Sequence, residues 1–163
     1  MGHVTEYDMY LFGEGTHYNI YEKLGAHPGK KGRKKGIYFD VWAPNASNVW
    51  VIGSFNDWDE TATSMERLEP NGIYEAFVPE AKMGDMYKYL IETSEGEYLY
   101  KADPYANYAE LRPGTASRIA DISELKWTDD VWMEQRAKQT DVYEQPLSIY
   151  EVHPGSWMRH PDG

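Results

Sequence analysis

The fold class follows from two neighbouring runs, Ile37-Tyr38-Phe39-Asp40-Val41-Trp42 and Val49-Trp50-Val51-Ile52-Gly53, with the turn residues Ala43-Pro44-Asn45 between them. Both runs are short and rich in β-branched and aromatic side chains, a composition typical of strands. In the second run Val49 and Val51 share one face while Trp50 and Ile52 share the other, as the pleat of a strand requires. Short runs closed by turn residues predict an antiparallel β-sandwich.

The same pattern continues towards the C-terminus. Asn71-Gly72 is a hairpin signal ahead of Ile73–Val78, Gly84-Asp85 precedes a strand at 87–93, and Glu95-Gly96 turns into Tyr98–Lys101. Alternation along 87–91 places Tyr87, Tyr89 and Ile91 towards the core and Lys88 outward. With a last strand at 118–122, we predict a mainly β, immunoglobulin-like sandwich over residues 35–122.

Residues 1–34 are predicted to be an N-terminal arm followed by a basic loop. In the arm only 20–24 leaves room for a turn of helix. The run Lys30-Lys31-Gly32-Arg33-Lys34-Lys35 has five basic residues out of six and predicts a solvated, mobile loop, with an anion-binding patch as the alternative.

Residues 123–146 are predicted to hold a C-terminal spacer helix and a linker. Thr128 can cap this helix, and Asp129 and Asp130 in its first turn are favourable against the positive end of the helix dipole. The helix is expected to end at about Lys138.

The segment Ser148-Ile149-Tyr150-Glu151-Val152-His153-Pro154-Gly155-Ser156-Trp157 reads as a buried strand that opens onto a glycine-bearing loop. Little sequence follows it, so this strand has no sheet of its own. We therefore expect residues 147–163 to be the truncated start of a further domain, whose apolar side chains are disordered or buried against another chain.

Composition excludes several classes of function. The 163 residues contain 41% hydrophobic residues, enough for a core, and no cysteine, which excludes thiol chemistry and disulfides. There is no secretory signal and no stretch of roughly 18 apolar residues, so we expect a cytoplasmic protein without a membrane partner. A net charge of −11 disfavours nucleic acid as a partner. The five histidines lack the paired spacing of metal ligands, so we predict no metal and no cofactor.

Aromatic residues are abundant: 15% of the chain, including 6 Trp and 14 Tyr. Aromatic rings combine large apolar faces with polar edges, which suits either a thick β core or a surface that stacks on sugars. Composition alone does not separate these two uses.

Six motifs in order resemble the N-terminal region of bacterial 1,4-α-glucan (glycogen) branching enzymes, which carries a family 48 carbohydrate-binding module. The resemblance covers nearly the whole chain. The motifs are Tyr21-Glu22-Lys23-Leu24-Gly25-Ala26-His27, Val41-Trp42-Ala43-Pro44-Asn45-Ala46, Gly53-Ser54-Phe55-Asn56-Asp57-Trp58, Lys101-Ala102-Asp103-Pro104-Tyr105-Ala106, Leu111-Arg112-Pro113-Gly114-Thr115-Ala116-Ser117, and Ile149-Tyr150-Glu151-Val152-His153 with Gly155-Ser156-Trp157. Pro154 departs from the leucine usual in the family.

The resemblance implies a parent enzyme that forms α-1,6 branches by glucan transfer in glycogen biosynthesis, a retaining enzyme of the glycoside hydrolase 13 type. Such enzymes use two carboxyl groups about 5–5.5 Å apart, carried by a (β/α)8 barrel of about 250 residues. Residues 147–163 are too few for that barrel, so we assign no catalytic residue here. The expected partners are α-1,4-glucan or glycogen and the missing catalytic domain of the same polypeptide.

The resemblance also implies three carbohydrate-binding residues. Trp58 matches a tryptophan that stacks on glucose in sugar-binding members of the module family, and Lys88 matches a lysine that donates to sugar hydroxyls. Tyr100 lies near a second platform where those members carry tryptophan, and Ser117 replaces an asparagine that binds sugar. Each residue has a structural alternative: Trp58 capping the sandwich, Lys88 as an ordinary outward lysine, and Tyr100 packing under the arm.

Three functions remain open from the sequence. The first is a carbohydrate-binding region that holds glucan near a catalytic barrel. The second is a structural docking domain for that barrel with little sugar affinity of its own, which would leave an apolar patch bare. The third, a free-standing subunit that targets glycogen, is disfavoured by the motif at 149–157.

Overall fold

A computed structural model describes residues 2–123, 125–139, 142–144 and 146–157. They divide into two compact units, Met1–Glu124 and Leu125–Gly163. The described residues of the first unit form one α-helix and nine strands. These are α1 (Glu6–Gly13), β1 (Gly25–Lys31), β2 (Lys34–Trp42), β3 (Ala46–Gly53), β4 (Glu66–Leu68), β5 (Ile73–Val78), β6 (Met86–Thr93), β7 (Tyr98–Lys101), β8 (Tyr108–Ala109) and β9 (Ser117–Arg118).

The strands form two antiparallel sheets, which confirms the predicted immunoglobulin-like sandwich. The first sheet has the order β1-β2-β5-β4. The second has the order β3-β6-β9-β8, and β7 also pairs with β6. The predicted bounds of β5 and β7 are those observed. The predicted strand at 118–122 is wrong in extent, because only Ser117 and Arg118 pair with neighbouring strands.

The core lies between the inward faces of the two sheets. Tyr87 and Tyr89 are fully buried there, and the partly buried Ile91 packs against the same core cluster, as alternation predicted. The Tyr87 hydroxyl donates to Asp103 Oδ2 at 2.6 Å and the Tyr89 hydroxyl donates to the same oxygen at 3.2 Å. Part of the aromatic excess therefore belongs to the core, where each polar edge has a hydrogen-bond partner.

The basic run is not a loop. Lys31 pairs with Lys34 at the end of the β1–β2 hairpin, so that only Gly32 and Arg33 form the turn. Gly32 has a φ of +65°, the left-handed conformation that tight hairpins favour. Pro28 is tolerated in β1 because this strand lies at the edge of the first sheet. The sandwich therefore begins with β1, ahead of residue 35.

The N-terminal arm covers the outward face of the first sheet. It contains the helix α1, which the sequence reading missed, and a 3-10 turn at Ile20–Glu22. Val4 and Leu24 from the arm are buried with Ile73 of β5, and Met9, Phe12 and Ile20 are among the side chains packed around them. The arm and the two sheets thus make three layers.

Asp8 holds the arm together. Its carboxylate accepts hydrogen bonds from the backbone and hydroxyl of Thr5, lies 2.9 Å from His17 Nε2 and 3.3 Å from Lys23 Nζ. Burial alone raises the pKa of Asp8, but the hydrogen bonds from Thr5 and His17 and the charge of Lys23 outweigh it, so that the pKa is well below its usual range.

The second unit contains the helices α2 (Asp130–Lys138) and α3 (Pro154–Trp157) and a 3-10 turn at Val142–Glu144. The α2 helix ends where the sequence predicted, but its N-cap is Asp129, whose side chain makes no capping hydrogen bond, and Thr128 is not the cap. Its role as a spacer stays a prediction. The predicted strand in this unit is not observed. Residues 147–153 have no regular secondary structure, and the described part of the unit contains no strand with which they could pair.

Candidate functional site

On the outward face of the second sheet the side chains lie in three rows that run across the strands β3, β6 and β7. Register pairs Ile52 with Lys88 in the first row, and Trp50 with Leu90 in the second. Leu90 also pairs with Tyr100 of β7. The third row contains Asn48, Glu92 and Tyr98. Residues paired across strands point to the same side, so Lys88 and Tyr100 share this face.

Trp58 lies in the loop that follows β3, at the end of the first row. The loop begins with a 3-10 turn at Ser54–Asn56, and the Asn56 side chain fixes it: Oδ1 accepts from the backbone of Gly53 at 2.8 Å, while Nδ2 donates to the Val51 carbonyl at 3.1 Å. The backbone nitrogen of Trp58 donates to the Gly53 carbonyl at 2.9 Å. The backbone of Trp58 is therefore held at the end of β3, at the residue that follows Ile52, the partner of Lys88.

The backbone at Trp58 is strained. Asp57 has a φ of +53° and Trp58 a φ of +61°, both in the left-handed region. That conformation costs roughly 1–2 kcal/mol for a residue with a Cβ and is unusual for a bulky side chain. Trp58 is 37% exposed, so the strain does not serve full burial of the indole. Strain of this kind concentrates at functional sites.

Lys88 faces outward, as predicted, and its Nζ donates to Thr115 Oγ1 at 2.7 Å. Ser117 lies elsewhere: it is 2% exposed, and its hydroxyl accepts from the backbone nitrogen of Asp103 at 2.9 Å. The hydroxyl beside Lys88 is thus that of Thr115. The match of Ser117 to a sugar-binding asparagine contains no information on side-chain direction, and β9 begins at Ser117 with this side chain directed inward.

Tyr100 is 52% exposed and does not pack under the arm, which covers the other sheet. Its hydroxyl donates to the Glu60 carboxylate. That hydrogen bond, followed by desolvation and the charge of Glu60, raises the pKa of Tyr100. Because Glu60 belongs to the same loop as Trp58, this contact ties the loop to β7.

Register therefore places Lys88 and Tyr100 on one face, and the loop that carries Trp58 is joined to β7 by the Glu60–Tyr100 contact. Two aromatic rings offer apolar surface, and an ammonium and a hydroxyl offer donors, the combination that suits stacking and hydrogen bonding to a polyol. Within the described residues no group of three or more His, Asp or Glu is placed to hold a metal ion. No helix in that part of the chain is long and apolar enough to cross a membrane.

Sequence reasoning missed Asn56, Glu60 and Thr115. Asn56 stands two residues before Trp58 in the quoted motif, and Thr115 follows Gly114 in another, so both carried a local signal. Glu60 carried none, since its contact with Tyr100 joins residues 40 positions apart.

Comparison with known proteins adds to this geometry. Residues 23–106 match the family described as carbohydrate-binding module 48 (isoamylase N-terminal domain). The chain is 56% identical over 160 residues to a 1,4-alpha-glucan branching enzyme of Butyrivibrio fibrisolvens, covering 98% of this chain and 25% of that protein. It is 52% identical over 159 residues to the corresponding enzyme of Halothermothrix orenii, with the same shares of the two chains.

Among solved structures, a pullulanase from Anoxybacillus sp. LM18-11 complexed with maltotetraose superposes with a TM-score of 0.51. It is 25% identical, and the match covers 64% of this chain and 14% of the pullulanase. The chain spans 25% of the length of the two branching enzymes described above. The resemblance to branching enzymes is confirmed, and the chain belongs to the carbohydrate-binding module 48 family.

Proposed function

We propose that this chain binds α-1,4-glucan or glycogen through Trp58, Lys88 and Tyr100. In the parent branching enzyme of glycogen biosynthesis it holds the growing glucan near the catalytic domain of the same polypeptide. The observation that carries the proposal is the strained loop after β3, which holds a partly exposed indole and is joined through Glu60 to Tyr100. Tethering raises the local concentration of chain ends available for transfer.

We also propose a separate role for each segment of the chain. The sandwich, predicted over residues 35–122 and here proposed to include β1, binds the sugar. The arm in 1–34 supports the first sheet, 123–146 is a spacer, and 147–163 begins the catalytic domain.

Isothermal titration with maltoheptaose tests the site. We expect the native chain to bind and Trp58→Ala to lose about fivefold or more in affinity, since stacking on an aromatic ring contributes on the order of 1 kcal/mol and the loop also loses its platform. Tyr18→Ala is the matched control, because Tyr18 is an exposed tyrosine of the arm and lies away from the second sheet. Equal heats for the native chain and Trp58→Ala would contradict the proposal.

A groove at the other end of the sandwich favours a second candidate function, a structural docking domain for the catalytic barrel with little sugar affinity. The groove has a volume of about 270 Å³, and its lining includes Trp42, Pro44, Ile91 and Leu99. Trp42 is exposed although its Nε1 donates to the Asn71 carbonyl at 2.9 Å. Absence of glucan binding together with concentration-dependent association, reduced by Trp42→Ala, would support docking.

A further inference from the structure

We propose that the glucan site extends along β6 to a second subsite formed by Asn48, Trp50, Glu92 and Tyr98, so that the module binds one α-glucan chain lengthwise. This inference rests on the proposed function. It adds a requirement for chain length that the residues Trp58, Lys88 and Tyr100 do not by themselves impose.

An aromatic pair forms the floor of the second subsite. The ring centroids of Trp50 and Tyr98 lie 6.3 Å apart, with an angle of 44° between the ring planes. Tyr98 is 55% exposed, whereas the neighbouring Trp50 is half-buried. The arrangement fixes the Tyr98 ring from one side and leaves the rest of it open to a ligand.

Glu92 supplies the polar part of the subsite. Its Oε2 accepts from Asn48 Nδ2 at 2.6 Å, and the Tyr98 hydroxyl lies 3.5 Å from Oε1. A carboxylate offers about four acceptor positions, and these two contacts leave some of them free for sugar hydroxyls. The carboxylate is therefore oriented before any ligand arrives, which reduces the entropy lost on binding.

The two subsites are continuous. Leu90 lies between them, buried, with Trp50 and Tyr100 as its neighbours in the same row. Lys88 and Glu92 are four residues apart on β6, a separation of about 14 Å at ~3.4 Å per residue. A single glucose ring cannot touch both ends, whereas a glucan chain laid along β6 can.

The chemistry of the face favours a neutral glucan as its occupant. Lys88 at one end and Glu92 at the other offset each other in charge, and between them lie aromatic and aliphatic groups. Donors and acceptors alternate with apolar surface, which matches a chain of rings that carry hydroxyls on their edges. An anionic polymer would meet Glu60 and Glu92 on this face and a net charge of −11 on the whole chain.

Isothermal titration of the 163-residue chain with maltotriose and maltoheptaose tests the inference. We expect the native chain to bind maltoheptaose at least tenfold more tightly than maltotriose. Tyr98→Ala and Glu92→Gln should each weaken maltoheptaose binding by about three- to tenfold and leave maltotriose unchanged, in line with the loss of one stacking or hydrogen-bonding contact. Trp58→Ala should weaken both ligands, and Tyr18→Ala neither.

The outcomes separate the two proposals. If the native chain binds neither sugar, the proposed function and the extended site both fail. If it binds both sugars with equal affinity, or if Tyr98→Ala and Glu92→Gln leave maltoheptaose binding at the native value, only the extended site fails. Self-association of the native chain that Tyr98→Ala abolishes would assign this face to a protein partner and would also overturn the inference. Glu92→Gln keeps the size of the side chain, so the test does not depend on Tyr98→Ala alone.

Discussion

Asp57 and Trp58 are consecutive residues in the left-handed conformation, and only glycine adopts that conformation without steric cost. The sequence motif predicted a tryptophan at the end of a strand, and alternation predicted an outward lysine on the neighbouring strand. Neither pattern carries information on backbone dihedral angles, so the positive φ angles of Asp57 and Trp58 could not be predicted from the sequence. The Glu60–Tyr100 contact was unpredictable for a different reason, because it depends on the path of a loop over the sheet.

Relief of this strain can be measured at Asp57. We expect Asp57→Gly to raise the free energy of unfolding by about 0.5–1 kcal/mol, because glycine removes the Cβ clash at positive φ and the aspartate side chain makes no hydrogen bond among the described residues. Asp59→Gly is the control: Asp59 Oδ1 accepts from Thr61 at 2.8 Å, so this variant should be less stable. Urea unfolding measures both. A loss of stability in Asp57→Gly as large as that in Asp59→Gly would contradict the strain.

Among the elements, strands were more predictable than the arm. β2, β3, β5 and β6 alternate or carry β-branched runs because each buries at least one face. β1 contains glycine, proline and lysine, and it is a strand only because β2 supplies its hydrogen-bond partners. The α1 helix carried a local signal, the capping box of Thr5 and Asp8, but its packing depends on an outward sheet face distant in sequence.

The arm meets the first sheet at a buried carboxyl. Asp40 is 0% exposed, its Oδ2 lies 2.9 Å from His3 Nδ1, and its neighbour across the strands is Glu75, whose Oε2 accepts from the backbone nitrogens of His3 and Val4. Burial raises the pKa of Asp40 well above its usual range. The charge of Glu75 and a hydrogen bond with it raise that pKa further, Asp103 adds to this, and Lys23 opposes it.

This carboxyl predicts a pH dependence. Because its pKa is higher in the folded than in the unfolded state, the folded protein holds a proton that the unfolded chain releases above about pH 4. The contribution of Asp40 to stability is therefore complete at low pH and decreases as the pH rises through its folded-state pKa. Asp40→Asn keeps the shape but does not titrate, so the variant should become more stable relative to the native protein as the pH rises, by about 1.4 kcal/mol for each unit by which the pKa is raised.

Thermal or urea unfolding of both proteins between pH 4 and pH 8 checks this expectation. His3 works in the opposite sense: burial, followed by the charge of Lys23, lowers its pKa, so its contribution is present above about pH 6.5 and is lost as the pH falls. The quantity compared is the difference in free energy of unfolding between the native protein and Asp40→Asn, because His3 is present in both. A difference that does not change with pH would contradict a buried, protonated Asp40.

The whole molecule consists of a sandwich unit with its own core and a second unit whose described apolar side chains are largely exposed. Trp127, Trp132, Ile149 and Trp157 are among these exposed residues. The core clusters and the proposed site residues Trp58, Lys88 and Tyr100 all belong to residues 2–123. Stability and sugar binding should therefore both reside in the first unit.

Removal of residues 125–163 tests this assignment. We expect the shortened chain to unfold cooperatively within a few degrees of the Tm of the full chain and to bind maltoheptaose with the same affinity, because no core or site residue is removed. It should also aggregate less, since the deletion removes exposed tryptophan and aliphatic side chains. Light scattering, circular dichroism and titration calorimetry measure the three properties. A shortened chain that folds but loses tenfold or more in affinity would place part of the glucan site in the second unit.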